Sequence, residues 1–214
     1  MRHVIIIGAG GHAREVAEIV RHQTQSQSEL RLLGFVVEDR KVLHDVPDGL
    51  SVLGDWSWFD EADRNDLAVI CAVGSPEVRK RLVERAMSIG LSFTNAVSPL
   101  AHVSPDAKIG QGIMIFPKAV VSTNSSIGDH SIINFGSTVS HDARVNSFVT
   151  ISPGVHVAGN VSLGEGCYLG IGASVIPRIS VGAWTVIGAG AVVTRDIPDK
   201  VTAVGVPAEV IRKR

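Results

Sequence analysis

Counted in steps of six from Val97, the second half of the chain presents an aliphatic residue at every step. The series is Val97, Val103, Ile109, Ile115, Val121, Ile127, Ile133, Val139, Val145, Ile151, Val157, Leu163, Leu169, Val175, Val181, Ile187 and Val193, with no slip in register. Glycine follows the aliphatic residue at Gly110, Gly128, Gly164, Gly170, Gly182 and Gly188, and a small residue stands two before it at Ala101, Ala107, Ala119, Ala143, Ala173 and Ala191. A period of six is neither the 3.6 of an amphipathic helix nor the 2 of a half-buried strand. It marks a parallel β-helix, in which three hexads close one triangular coil and the aliphatic side chains fill the prism. Coils then stack at strand spacing, roughly 4.8 Å apart, and seventeen hexads make between five and six of them.

The first half follows a different pattern. "HVIIIGAGGHAREVAEIVRHQ" predicts a buried strand, a glycine turn and a helix with Val16, Ala17, Ile19 and Val20 on its apolar face. "LRLLGFVVEDR" predicts a second strand ending in acids. "DLAVICAVGSPEVRKRLVERAMSIG" predicts a third strand, a Gly-Ser-Pro turn and a helix stopped at Gly90, and "LSFTNAV" a fourth short strand. The chain therefore divides into a small parallel α/β domain over residues 1–95, half of a Rossmann-like layout, and a β-helix with a C-terminal tail over residues 96–214.

Composition and charge narrow the partners. Hydrophobic residues make up 45% of the chain but aromatic ones only 5%, as suits many short, closely packed strands. A net charge of −1 supplies no field to draw nucleic acid or an acidic membrane. The first apolar run is too short to span a bilayer and lacks a cleavable-signal layout, so a soluble cytoplasmic protein is expected. Cys71 and Cys167 have no CxxC partner and read as core thiols of a reducing compartment. Arg212, Lys213 and Arg214 read as a solvated tail that could meet a phosphate.

Two places in this pattern carry chemistry. His141 follows the inward Val139 by two residues and so falls at a corner, facing outward; Gly159, eighteen residues on, stacks one coil away. That pairs an imidazole base with a backbone N–H able to receive an oxyanion, and Asp142 stands beside the base to orient it. The alternative is an exposed corner histidine with no role. The second place is "GAGGHA", a G-x-G-x-x-A turn between strand and helix, with Glu38 and Asp39 at the distance of a ribose-binding carboxylate. Half of a doubly wound sheet is too little for a dinucleotide. A mononucleotide fits better, its diphosphate on the amides of Gly10, Gly11 and His12, its base or ribose on Glu38 or Asp39, with Gly74 at the same sheet edge. Tight strand–helix packing alone is the competing explanation of these glycines.

"HDARVNSFVTISPGVHVAGNVSLGE", joined to "IIGAGGHAREV", "GFVVEDR" and "AVGSPEVRKRL", resembles the hexapeptide acyltransferases. More closely it resembles the branch that acetylates bacterial nucleotide-linked amino sugars and sialic acids, with perosamine N-acetyltransferase as the nearest type. The resemblance implies a left-handed β-helix, acetyl-CoA as co-substrate without a metal, and a homotrimer with sites between subunits. It implies N-acetylation of a nucleotide-linked 4-amino-4,6-dideoxy sugar for surface polysaccharide such as the lipopolysaccharide O-antigen, GDP-perosamine first. UDP-amino sugars and sialic acid O-acetylation remain open. His141 would be the general base, Asp142 its partner, and the Gly159 amide the contact to the acetyl carbonyl. Ile171 and Ala189 would lie along the coenzyme and Arg195 near a phosphate. Thr150 stands where many relatives carry a histidine that meets acetyl-CoA. It lies one and a half faces from His141, so only a neighbouring prism could bring the two together. Since neither cysteine shares the His141 column, direct attack without an acyl-enzyme is expected. A carbonic-anhydrase-like metal site would need a close histidine pair that His102, His130, His141 and His156 do not form. A non-catalytic nucleotide-sensing β-helix would need the glycine loop but no base.

Overall fold

A computed structural model of the chain describes residues 2–26, 30–39, 46 and 49–214. The α/β domain runs β1 (Arg2–Ile7), α1 (Gly11–Ser26), β2 (Leu30–Val36), β3 (Val52–Gly54), α2 (Trp58–Glu61), β4 (Leu67–Cys71) and α3 (Pro76–Ser88). Its four strands are parallel in the order β3-β2-β1-β4. The second expected strand ends at Val36, and Arg40, the last residue of its motif, lies outside the described residues. Two elements escaped the pattern because they are short: β3 and the single turn α2. The expected fourth strand is not one. Phe93 makes only an isolated bridge to Val69, and from Ala96 the hexad register takes over, with Ala96 N–H donating to Ile113 O at 2.9 Å. Helix α3 does stop at Gly90, whose φ of 78° lies in the left-handed region that glycine enters without strain.

In the β-helix each hexad contributes a two-residue strand, and strands eighteen residues apart pair in parallel, as Ile132 with Thr150 and Thr150 with Tyr168. Three faces result. The first carries Ala96–Val97, Met114–Ile115, Ile132–Ile133, Thr150–Ile151, Tyr168–Leu169 and Val186–Ile187; the second runs from His102–Val103 to Val192–Val193; the third runs from Lys108–Ile109 to Ser180–Val181. The inward residues from Ile115 to Val193 form one apolar column. After Val193 the coil shortens, and Val186 pairs with Thr202 rather than Val204. The basic tail is not free: Glu209–Lys213 folds back antiparallel on Val201–Val204.

The α/β domain lies on the first face. Ala96, Met114 and Ile132 point outward there, yet they are buried in one cluster with Val16, Val20 and Phe35. Alongside, α3 meets the corner between the third and first faces, where Lys80 Nζ pairs with Glu165 at 2.7 Å and lies over the Trp184 ring.

Candidate active site

His141 sits at the corner between the second and third faces. From Gly112 to Gly190 each corner is turned by a residue of positive φ; here it is Asp142, at 59°, a residue type that tolerates that region. The turn folds the carboxylate back onto its neighbour, and Asp142 Oδ2 lies 2.8 Å from His141 Nδ1. A carboxylate acceptor at Nδ1 places the proton there and leaves Nε2 as the basic nitrogen, exposed at the corner. Gly159 lies one coil away. A Cβ built on it would come within 2.5 Å of His141 Cε1 and 2.6 Å of Nε2, so the glycine gives the imidazole its seat. Among the described residues the Gly159 amide donates to no backbone carbonyl, whereas Asn160 N–H bonds to His141 O. An exposed imidazole nitrogen and an amide with no backbone partner among the described residues thus share one corner.

The expected nucleotide residues gather at the carboxyl ends of β1, β2 and β4. Among the described residues a Cβ on Gly10 or Gly74 would meet nothing within 4 Å, and one on Gly11 only Arg14 Nη2 at 3.8 Å. Packing within the chain therefore does not demand these three glycines, and the surface they form stands open. Glu38 and Asp39 line a cavity of about 320 Å³ with Ile7, Gly8, Val73 and Leu82. Glu38 Oε2 also accepts from Arg81 Nη2 at 2.8 Å.

A groove of about 580 Å³ runs between the α/β domain and the first face, lined by His12, Gly74, Ser75, Asn134, Thr150, Tyr168, Ile171 and Arg214 among others. The His12 ring stacks on Phe116 at 5.3 Å, and its Nε2 is buried with no partner among the described residues. Burial first, and the Arg79 charge second, push the His12 pKa down to about 4, so the ring is neutral at pH 7. Thr150 is buried, its hydroxyl donating to Gly74 O at 3.0 Å and accepting from Arg79 Nη2 at 2.9 Å. Arg214 closes one end, with Nη2 3.0 Å from Glu77 Oε1. Sequence reasoning missed Arg79, Asn134 and Tyr168. The signal for Arg79 was a charge on the apolar stripe of α3, in step with Leu82, Val83 and Ala86.

The structure separates the remaining expected residues. Ile171 and Ala189 are exposed at the corner between the first and second faces, while Arg195 shares the His141 column and pairs with Glu209. Cys71 and Cys167 are buried, their thiols pushed up to about 12 chiefly by burial, which removes them as nucleophiles. Among the described residues no group of three or more His, Cys, Asp or Glu could hold a metal, and no helix is long and apolar enough to cross a membrane.

Comparison with known proteins agrees with this layout. The family model of the PglD N-terminal domain matches residues 3–86, and that of the bacterial transferase hexapeptide (six repeats) matches residues 160–195. A crystal structure of a histidine-to-asparagine mutant of perosamine N-acetyltransferase from Caulobacter crescentus, in complex with CoA and GDP-perosamine, is 36% identical with a TM-score of 0.90. It covers 99% of this chain and is covered over 97% of its own. The chain belongs to the hexapeptide-repeat acetyltransferase family of nucleotide-linked amino sugars. Within the family, the acetyltransferase domain of PglB from Neisseria gonorrhoeae, in complex with acetyl coenzyme A, is 35% identical with a TM-score of 0.89, over 98% of this chain and 99% of that one. Among curated proteins, UDP-N-acetylbacillosamine N-acetyltransferase of Bacillus subtilis is 36% identical over 125 residues, which is 54% of this chain and 51% of that protein. The chain spans between 24% and 51% of the length of the curated relatives it matches.

Proposed function

We propose that the protein transfers acetyl from acetyl-CoA to the 4-amino group of a nucleotide-linked 4-amino-4,6-dideoxyhexose, with GDP-perosamine the first candidate. The observation that carries the chemistry is the 2.8 Å contact between Asp142 and His141 Nδ1 above Gly159. An amine with a pKa of roughly 8 is partly protonated at neutral pH, and its free fraction attacks the thioester carbon. His141 Nε2 takes the proton as the C–N bond forms, and Asp142 stabilises the resulting imidazolium. The Gly159 N–H faces the developing oxyanion. Collapse breaks the C–S bond, and the proton held by His141 leaves with the coenzyme thiolate. The relatives solved with CoA, acetyl coenzyme A and GDP-perosamine support this choice of substrates.

The site is read as lying between copies. The α/β domain and its groove lie on the first face, whereas His141 stands at the corner opposite that face. The second face carries His102, Val120, Thr138, His156, Ser174 and Val192 outward, with no Lys, Arg, Asp or Glu. The corner it shares with the first face exposes Leu100, Phe135 and Ile171. Three copies with their second faces around one axis bring the His141 corner of each against the Phe135–Ile171 corner, and so the groove, of the next. The coenzyme would run along that seam past Ile171 and Ala189.

A UDP-linked amino sugar is the second reading, favoured by the likeness to UDP-N-acetylbacillosamine N-acetyltransferase. Incubation with acetyl-CoA and GDP-, UDP- or dTDP-linked 4-amino sugars, followed by mass spectrometry, decides. Acetylation of the GDP sugar in preference to the others is expected. Failure of all three would overturn the reading.

A further inference from the structure

Beneath the groove lies a charge that acetyl transfer does not use. Arg79 is 0% exposed, and among the described residues no carboxylate pairs with its guanidinium. Its donors go to carbonyls and one hydroxyl. Nε reaches His130 O at 2.8 Å, Nη1 reaches Val73 O at 2.6 Å and Gly74 O at 3.1 Å, and Nη2 reaches Phe148 O at 2.7 Å and Thr150 Oγ1 at 2.9 Å. Two acceptors belong to the loop after β4 and three to the β-helix, so one planar fork ties the two domains together. A buried cation without an anion is costly even when every donor is satisfied, which invites the question of what anion it serves.

We infer that Arg79 is a positioning residue for the diphosphate of the nucleotide sugar. Through Gly74 and Thr150 it fixes the groove rim and sets a positive charge behind it, and Thr150 belongs to this clamp rather than to the coenzyme site. The inference rests on the proposal that the groove receives a nucleotide sugar. Three observations support it. Thr150 Oγ1 both accepts from Arg79 and donates to Gly74 O, so its one proton is committed within the chain and cannot be given to a coenzyme. Among the described residues Gly74 has open space where a side chain would stand, so its Cα side can be approached closely by a ligand while its carbonyl is held by Arg79 and Thr150. The Arg79 charge is felt at the groove wall, where it contributes to the lowered pKa of His12.

The test is calorimetric titration of GDP, UDP, dTDP and CoA into wild type and the Thr150→Val, Thr150→Ser and Arg79→Lys variants, with a thermal melt of each. Thr150→Val removes the hydroxyl at nearly constant volume, and Arg79→Lys keeps the charge but not the fork. Each is expected to weaken the preferred nucleoside diphosphate about tenfold or more, the cost of breaking a charge-assisted hydrogen bond, while CoA affinity stays within about twofold. Thr150→Ser should recover most of the nucleotide affinity lost in Thr150→Val. Loss of CoA affinity in Thr150→Val with nucleotide affinity intact would return Thr150 to the coenzyme and overturn the inference. So would loss of both affinities in step with the melting temperature, which would make the clamp purely structural. Should Arg79→Lys fail to fold, the threonine pair decides alone. A wild type that binds no nucleoside diphosphate removes the nucleotide-sugar proposal and this inference together; a wild type that binds one while the variants bind it equally well removes the inference only.

Discussion

The His141 imidazole is held from two sides, by Asp142 Oδ2 at Nδ1 and by the bare Cα of Gly159 along its Cε1–Nε2 edge. Because the ring is exposed, neither hold matters much to the fold, and variants here should separate chemistry from stability. His141→Asn is expected to lower kcat by at least about a hundredfold, the lower end of a general-base contribution, with coenzyme affinity retained in a binding titration. Gly159→Ala should lower kcat in the same direction, because its Cβ would displace the ring, while the melting temperature barely changes. Gly11 makes the complementary case. It has room for a side chain in the free protein, so Gly11→Val should fold normally, yet the valine would intrude where a diphosphate approaches the α1 amides. Expected is a raised KM for the sugar nucleotide with KM for acetyl-CoA nearly unchanged; the opposite split in steady-state kinetics would put the coenzyme on the glycine loop. His141, Asp142 and Gly159 could be placed from sequence because a strict period converts residue number into position. Arg79 could not, since nothing in the order of residues says that His130, Phe148 and Thr150 will meet it.

Among elements, the rungs of the β-helix were readable and the contact between the domains was not. Six-residue periodicity locates each inward side chain, but which face the α/β domain would cover depends on the outward residue before it. Ala96, Met114 and Ile132 are apolar at that position where other rungs carry His102, Lys108 or Ser126, and that contrast marks the covered face only once the rungs are grouped by eighteen. The contact holds one partly buried histidine, His12, and one buried one, His130. His12 stacks on Phe116, and His130 lies between Phe93 and Phe148 with its Nδ1 unpartnered among the described residues. Both are pushed down to about 4, His12 by burial and then Arg79, His130 by burial and then Arg79 against the opposing pull of Asp129. An unfolded chain binds these protons near the ordinary 6.5, so between pH 6.5 and about 4 it takes up protons that the folded chain refuses. Stability should therefore be fully present above that window and fall as pH drops through it, by on the order of 1.4 kcal/mol per pH unit for each histidine. Urea unfolding at stepped pH measures the slope. His130→Phe, which places a ring like that of Phe148 in the same column, should reduce it by about one proton; an unchanged slope would mean that His130 titrates normally in the folded protein.

For the whole molecule, the question is whether one chain holds a complete site. The groove lies against the first face and His141 at the opposite corner, so under the proposed function a chain acting alone would hold the groove without the base it needs. Residue order suggested the same from the offset between Thr150 and His141, but the structure shifts the argument, because the Thr150 hydroxyl is taken up by its own α/β domain. The groove now carries it. Sedimentation should show a trimer at assay concentrations, and an active monomer would contradict the shared site. A sharper test uses two inactive parents. Chains carrying His141→Asn keep a sound groove, and chains carrying Gly11→Val keep a sound base. In mixed trimers, some seams join the groove of the first to the His141 corner of the second. With equal, random mixing these make up about a quarter of all seams, by the statistics of a closed ring. Co-expression should thus restore activity to roughly a quarter of wild type at subsaturating sugar nucleotide, where the Gly11→Val parent is nearly silent. If groove and base acted within one chain, no mixture could rebuild a working site, and the co-expressed protein would be no more active than the average of its parents.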